Sequence, residues 1–142
     1  MIIPVIYELS MIGVVDAAVP NKERILLRPT MPVNLAQFGI ILAIKSQDEI
    51  FTPMLDHFFW FGEFTVQPPC WLVVYTGPGE FMKTRVPVGD EIAYSLHWGK
   101  PTTVFNEPNI VPVVLRIAGI LSGSRLLSNG ERPVRPLPLK SY

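Results

Sequence analysis

Apolar residues in this chain come in short runs that break off before they can build a helix. Ile25-Leu26-Leu27, Phe38 to Ile44, Trp71 to Tyr75, Ile92 to Trp98 and Ile110 to Leu115 are continuous or alternating apolar stretches bounded by Pro, Gly, Asn or Asp. That is the pattern of buried or half-buried strands. Proline makes the same point by exclusion. It supplies 15 of the 142 residues, about twice its ordinary share of roughly 5%, and a proline inside a helix costs about 3 kcal/mol. The longest proline-free windows are 5–19, 33–52, 54–67, 88–100 and 113–132, and most of them carry the strand pattern.

Two hairpins are predicted from turn chemistry. Gly13 to Val19 and Arg24 to Arg28 flank Pro20-Asn21-Lys22-Glu23, where proline presets one dihedral and asparagine tolerates another. Trp71 to Thr76 and Glu80 to Val86 flank Gly77-Pro78-Gly79, whose glycines permit positive dihedrals, so these two arms are expected to be antiparallel neighbours. The second arm alternates Phe81, Lys83 and Arg85 with Met82, Thr84 and Val86, and neither face is cleanly apolar.

The stretch from Pro53 to Phe61 reads two ways. As a helix it has Thr52 to cap it, Pro53 in the first turn and Gly62 at the C-terminal glycine position; as a strand it is an aromatic run continuing through Glu63 to Gln67. The helix is the preferred reading. Ser46-Gln47-Asp48-Glu49 matches a capping box, but Pro53 would cut that helix off within two turns. The fold class predicted is mainly β: a single-domain antiparallel barrel or two-layer sandwich over residues 1–121 with one short helix, the alternative class being α+β.

Composition narrows the role. Hydrophobic residues make up 49% of the chain and charged residues 17%, against a usual charged share of about 25%, so the polar coat is thin. A spanning helix needs about 20 apolar residues in a row, and no such run exists: Ile110 to Leu121 is broken by Pro112 and Arg116. The N-terminal stretch lacks a basic leader region and carries Glu8 and Asp16, so it reads as mature protein. Contact with a second copy is the remaining account of the apolar surplus, and a homo-oligomer, a dimer first, is expected. Net charge is zero with a pI near 6.7, which offers no field for nucleic acid or an anionic membrane. One cysteine, Cys70, excludes an internal disulfide framework and a cysteine-rich zinc site, and fits a reducing, cytoplasmic setting. From Ser124 to Tyr142 the chain carries Arg125, Arg132, Arg135 and Lys140 against Glu131. Residues 122–142 are expected to form an extended or disordered tail, with Pro133-Val134-Arg135-Pro136 as a bare PxxP core.

The densest chemical feature is Phe58-Phe59-Trp60-Phe61, joined at a distance in sequence by Trp71 and Trp98. Successive side chains point to different faces of a helix or a strand, so four consecutive aromatics cannot all enter one core. At least one is expected to meet a partner chain or a small apolar ligand, which makes these six residues the interface or pocket candidates.

His57 and His97 are the two histidines, and with Glu63 they form the alternative polar site, able in principle to act as a base or hold a metal. Their spacing matches no ligand signature, and no metal or cofactor is assigned. Cys70 has no nucleophile signature around it, no Gly-x-Ser-x-Gly elbow is present, and the glycine clusters at 77–79 and 119–123 lack a phosphate-loop ending. Asp48-Glu49 and Asp90-Glu91 are expected to be solvated loop acids. The expected function is therefore a non-enzymatic homo-oligomeric binding or assembly module. The alternatives are a small enzyme using His57, Glu63 and His97, and a structural subunit of a larger assembly.

Overall fold

A computed structural model describes residues 5–87 and 89–126. Ten strands follow one another: β1 Leu9–Val15, β2 Arg24–Pro29, β3 Val33–Asn34, β4 Phe38–Lys45, β5 Phe51–Trp60, β6 Thr65–Val66, β7 Cys70–Tyr75, β8 Met82–Arg85, β9 Ile92–His97 and β10 Ile110–Arg116. Among the described residues the helical content is one 3-10 turn at Leu35–Gln37, capped by the Asn34 side chain, which accepts from Ala36 N. The fold is mainly β, as the proline spacing predicts.

The strands form a sandwich of open sheets, not a closed barrel. One sheet has the order β1-β2-β7-β9-β8, the other β10-β4-β5, and β3 pairs with β6 in a separate small ribbon. Alternation along the strands decides the core. Ile25 and Leu27 of β2, Leu72 and Val74 of β7 and Leu96 of β9 point inward from the first sheet, and Phe38, Ile40 and Leu42 of β4 point inward from the second. Each fully buried Leu or Ile contributes about 1.5–3 kcal/mol relative to exposure, and this interdigitated layer holds the sheets together.

The first predicted hairpin is present: β1 and β2 pair antiparallel from Leu9↔Pro29 to Val15↔Arg24, with Ile12 bulged out of register between Met11 and Gly13. The second is not. β9 lies between β7 and β8, parallel to β7 and antiparallel to β8. The hairpin in this region joins β8 to β9 through residues 86–91, where Val86 N donates to Glu91 O and Gly89 and Asp90 have positive φ. Gly77 and Gly79 are not among the residues with positive φ. Gly79 is needed for room instead: a Cβ there would lie 2.3 Å from the His97 ring, because the β7–β8 connection crosses over the end of β9.

The helix predicted over 53–61 is a strand. β5 is an edge strand paired to β4, where Pro53 removes no ladder bond from a central position. The aromatic run alternates cleanly across the sheet, with Phe59 opposite Ile40 inside and Phe58 opposite Ile41 outside; a helix would have left more of these rings in water. Pairing breaks between Ile41 and Ala43, whose partners are Phe58 and Pro53, so one β4 residue faces four of β5, residues 54–57, and Asp56 takes a positive φ in this bulge. Ser46-Gln47-Asp48-Glu49 closes the β4–β5 hairpin rather than capping a helix: Ser46 Oγ accepts from Ile50 N and Glu49 has positive φ. The described part of the expected tail, residues 122–126, has no regular structure, and the PxxP core lies outside the described residues. No helix among the described residues is long and apolar enough to cross a membrane.

Candidate functional site

Strand alternation sorts the six aromatic candidates into three places. Phe59, Phe61 and Trp98 turn inward: Phe59 meets Phe61 edge-on at 5.5 Å and Trp98 at 5.6 Å, all within or against the core. Trp71 stands on the outer face of the five-stranded sheet. Phe58 and Trp60 stand on the outer face of the three-stranded sheet.

That last face is apolar across all three strands. Register places Val111, Val113 and Leu115 of β10 beside Ile41 of β4 and Phe58 and Trp60 of β5. Phe58 is 49% exposed, and a Cβ at Gly39 would strike its ring at 2.5 Å, so glycine lets the ring lie flat across β4. Trp60 fixes the other corner by donating its Nε1 to Ala36 O at 2.8 Å. At the rim of this face Lys45 pairs with Glu49 and lies 6.0 Å from the centre of the Phe51 ring.

The outer face of the five-stranded sheet also carries aromatics, but each has a polar partner. Arg28 lies over the Trp71 ring at 4.3 Å and binds Glu91 Oε1 at 2.6 Å, while Trp71 Nε1 donates to Glu91 Oε2 at 2.7 Å. Tyr75 stacks on His97 at 5.1 Å with Arg24 at 6.0 Å. The hydrogen bond from Arg28, reinforced by that from Trp71, outweighs desolvation and holds the Glu91 carboxyl below the usual carboxylate range. Glu91 is therefore not the solvated loop acid expected. Asp90 is exposed and pairs with Arg85.

The polar alternative does not converge. His57 lies in the β5 bulge, Glu63 is exposed beyond the end of β5, and His97 is held between Tyr75 and Gly79. Among the described residues no three His, Cys, Asp or Glu side chains come together as a metal site. The Nδ1 atoms of both histidines are buried without a hydrogen-bond partner among those residues. Burial pushes the Cys70 thiol up, against the thiolate a nucleophile needs.

One buried acid escaped the sequence reading. Glu23, placed in a turn, is 1% exposed and accepts from Ala18 N, Thr76 Oγ1, Val104 N and Phe105 N at 2.7–3.0 Å. Burial pushes its carboxyl up, but these four bonds together outweigh burial and hold it below the ordinary range. It pins the connection between β9 and β10, the last of the segments that carry the chain from one sheet to the other. No sequence signal marks it, since its partners lie 5 to 82 residues away. Next to this latch is a shallow, open depression of about 300 Å³ between Pro20, Asn21, Thr76, Lys100 and Thr102. Set against protein-family models, curated proteins and solved structures, the chain matches none of them.

Proposed function

We propose that this domain is a non-enzymatic assembly module that works as a homo-oligomer, a dimer in its simplest form, through the outer face of the β10-β4-β5 sheet. One observation carries the reading: Val111, Val113, Leu115, Ile41, Phe58 and Trp60 form a continuous apolar surface across three strands, with no charge at its centre. Apolar surface left in water costs about 25 cal/mol per Å², and monomers rarely keep such patches uncovered. The low charged content of the whole chain points the same way. Phe58 and Trp60 would be the anchors, aromatic rings held in place before contact and so costing little entropy to bury. A small apolar molecule on the same rings is the lesser role of this face. The single buried thiol suits a reducing setting such as the cytoplasm.

Native mass spectrometry beside sedimentation velocity tests this. The expected result is a species at a multiple of the 15.9 kDa chain mass, concentration-dependent and free of added mass. A monomer at every concentration, or a bound metal or small molecule on a monomer, would sink the assembly reading.

A further inference from the structure

The chain leaves the sandwich as an apolar arm. β10 ends at Arg116, and Ile117 N still donates to Gln37 O at 2.6 Å, which carries the antiparallel pairing one residue past Arg116↔Phe38. From Ala118 to Leu126 the backbone has no regular structure, and Ile120, Leu121 and Leu126 are 64%, 99% and 90% exposed. Residues 117–124 carry no charge. A flexible connector is ordinarily rich in Gly, Ser and charge, because such residues are at home in water; large aliphatic side chains held out from the domain are not.

We propose that this arm, residues 117–126, is exchanged between copies, the arm of one chain lying across the outer face of the β10-β4-β5 sheet of another. The proposal rests on the homo-oligomer reading above and names the element that makes the contact. Stoichiometry fits, since every chain offers one arm with exposed Ile120, Leu121 and Leu126 and one apolar sheet face. The exposure of those three side chains shows that the arm does not cover its own chain's face, which leaves the face of a second copy to receive it.

The sheet edges favour docking on the face over strand addition. The β10 edge contains Pro112, and the β5 edge contains Pro53 and the four-residue bulge at 54–57. The β1 edge is bulged at Ile12, and β8 is four residues long with Lys83 and Arg85. Proline, bulges and short charged strands each spoil a backbone template. Reciprocal exchange between two copies closes a dimer, whereas one-way exchange gives a ring or an open chain.

Two full-length variants and their mixture test the exchange by sedimentation velocity. The arm variant carries Ile120→Asp with Leu121→Asp; the face variant carries Val113→Lys, with Leu115→Lys as the substitute should circular dichroism show Val113→Lys unfolded. Wild-type protein is expected to assemble. Each variant alone is expected to be monomeric, its dissociation constant raised at least about thirtyfold, as the loss of an interface anchor does. An equimolar mixture is expected to recover a one-to-one heterodimer, because one intact arm meets one intact face.

Two results would overturn the arm while leaving the oligomer reading standing. In one, the arm variant assembles as the wild type does, the mark of face-to-face pairing; in the other, both variants are monomers but their mixture gives no mixed species, so arm and face do not complement each other. A monomeric wild type would defeat the oligomer reading itself and the arm with it.

Discussion

The outer faces of the two sheets share one pleat and one alternation, yet they are finished differently. On the five-stranded sheet, Trp71 lies under Arg28 and donates to Glu91, and Tyr75 is stacked with His97. On the three-stranded sheet, Phe58, Trp60, Ile41 and the β10 valines have no such roof among the described residues. A ring capped by a guanidinium shows water a charged surface at little cost, since the stem and plane of arginine cover carbon while the head stays hydrated. Two β faces of similar aromatic content can thus differ in whether they need a partner, and what decides is the placement of a few long charged side chains.

The severest way to break the comparison touches neither face. Glu23→Ala removes one acceptor group that four donors share inside the protein, and a buried donor left unpaired costs about 1–3 kcal/mol. We expect urea denaturation to show a loss of about 3–5 kcal/mol, as several buried donors lose their acceptor at once, with both faces affected because one of the connections between the sheets comes loose. A loss under about 1 kcal/mol would mean that water replaces the carboxylate.

Next in size is a matched pair of lysines. Val113→Lys on the uncapped face should weaken assembly at least about thirtyfold, whereas Val73→Lys, on the capped face, should leave the sedimenting mass unchanged. Equal effects would erase the distinction between the faces. Smaller again is Arg28→Ala, which strips the roof from Trp71. It should cost about 1 kcal/mol and raise the binding of an apolar dye to the five-stranded sheet; unchanged dye binding would show that Trp71 needs no cap.

Acid makes the subtlest test. The Glu91 and Glu23 carboxyls lie below their ordinary range in the folded chain and return to it on unfolding. As pH falls, the unfolded chain therefore takes up protons first. Stability from both groups is complete above the unfolded carboxylate value of about 4.3 and drains away as pH drops through the lower folded values. Melting temperatures from pH 7 to pH 3 should show this fall, and Glu91→Gln should flatten part of it. A profile flat to pH 3 would count against both assignments.

Much of the fold was legible because it rests on local signals. The five apolar runs, their proline and glycine boundaries and the β1–β2 turn all act within a few residues, and each became the strand or hairpin expected. Misreadings came where a signal served two masters. Thr52, Pro53 and Gly62 spell a helix locally, but the aromatic alternation from Phe58 to Phe61 gains more by pairing with β4. Gly77 and Gly79 spell a turn, yet Gly79 answers to the His97 ring lying beneath it. For the candidate site, the rule that four successive aromatics cannot share one core was legible, but which of them turn outward was not: the strand, not the helix expected, puts Phe58 and Trp60 on one side and Phe59 on the other. Nor could the rule bring in Ile41, Val111, Val113 and Leu115, because cross-strand neighbours depend on a pairing order that no short window contains. The Arg28–Glu91 pair, 63 residues apart, and the Glu23 latch escaped for the same reason.

The crossing of residues 77–79 above His97 also orders events in time. β9 belongs between β7 and β8 but follows both along the chain, so during synthesis the edge of β7 stays bare until residue 97 has emerged. The β8–β9 hairpin is local and quick to form, and docking it by its β9 edge closes the β7–β8 connection over the end of β9. A nascent chain halted between β8 and β9 would hold its longest interval of stickiness at β7, on the sheet that is the better protected one once the chain is complete.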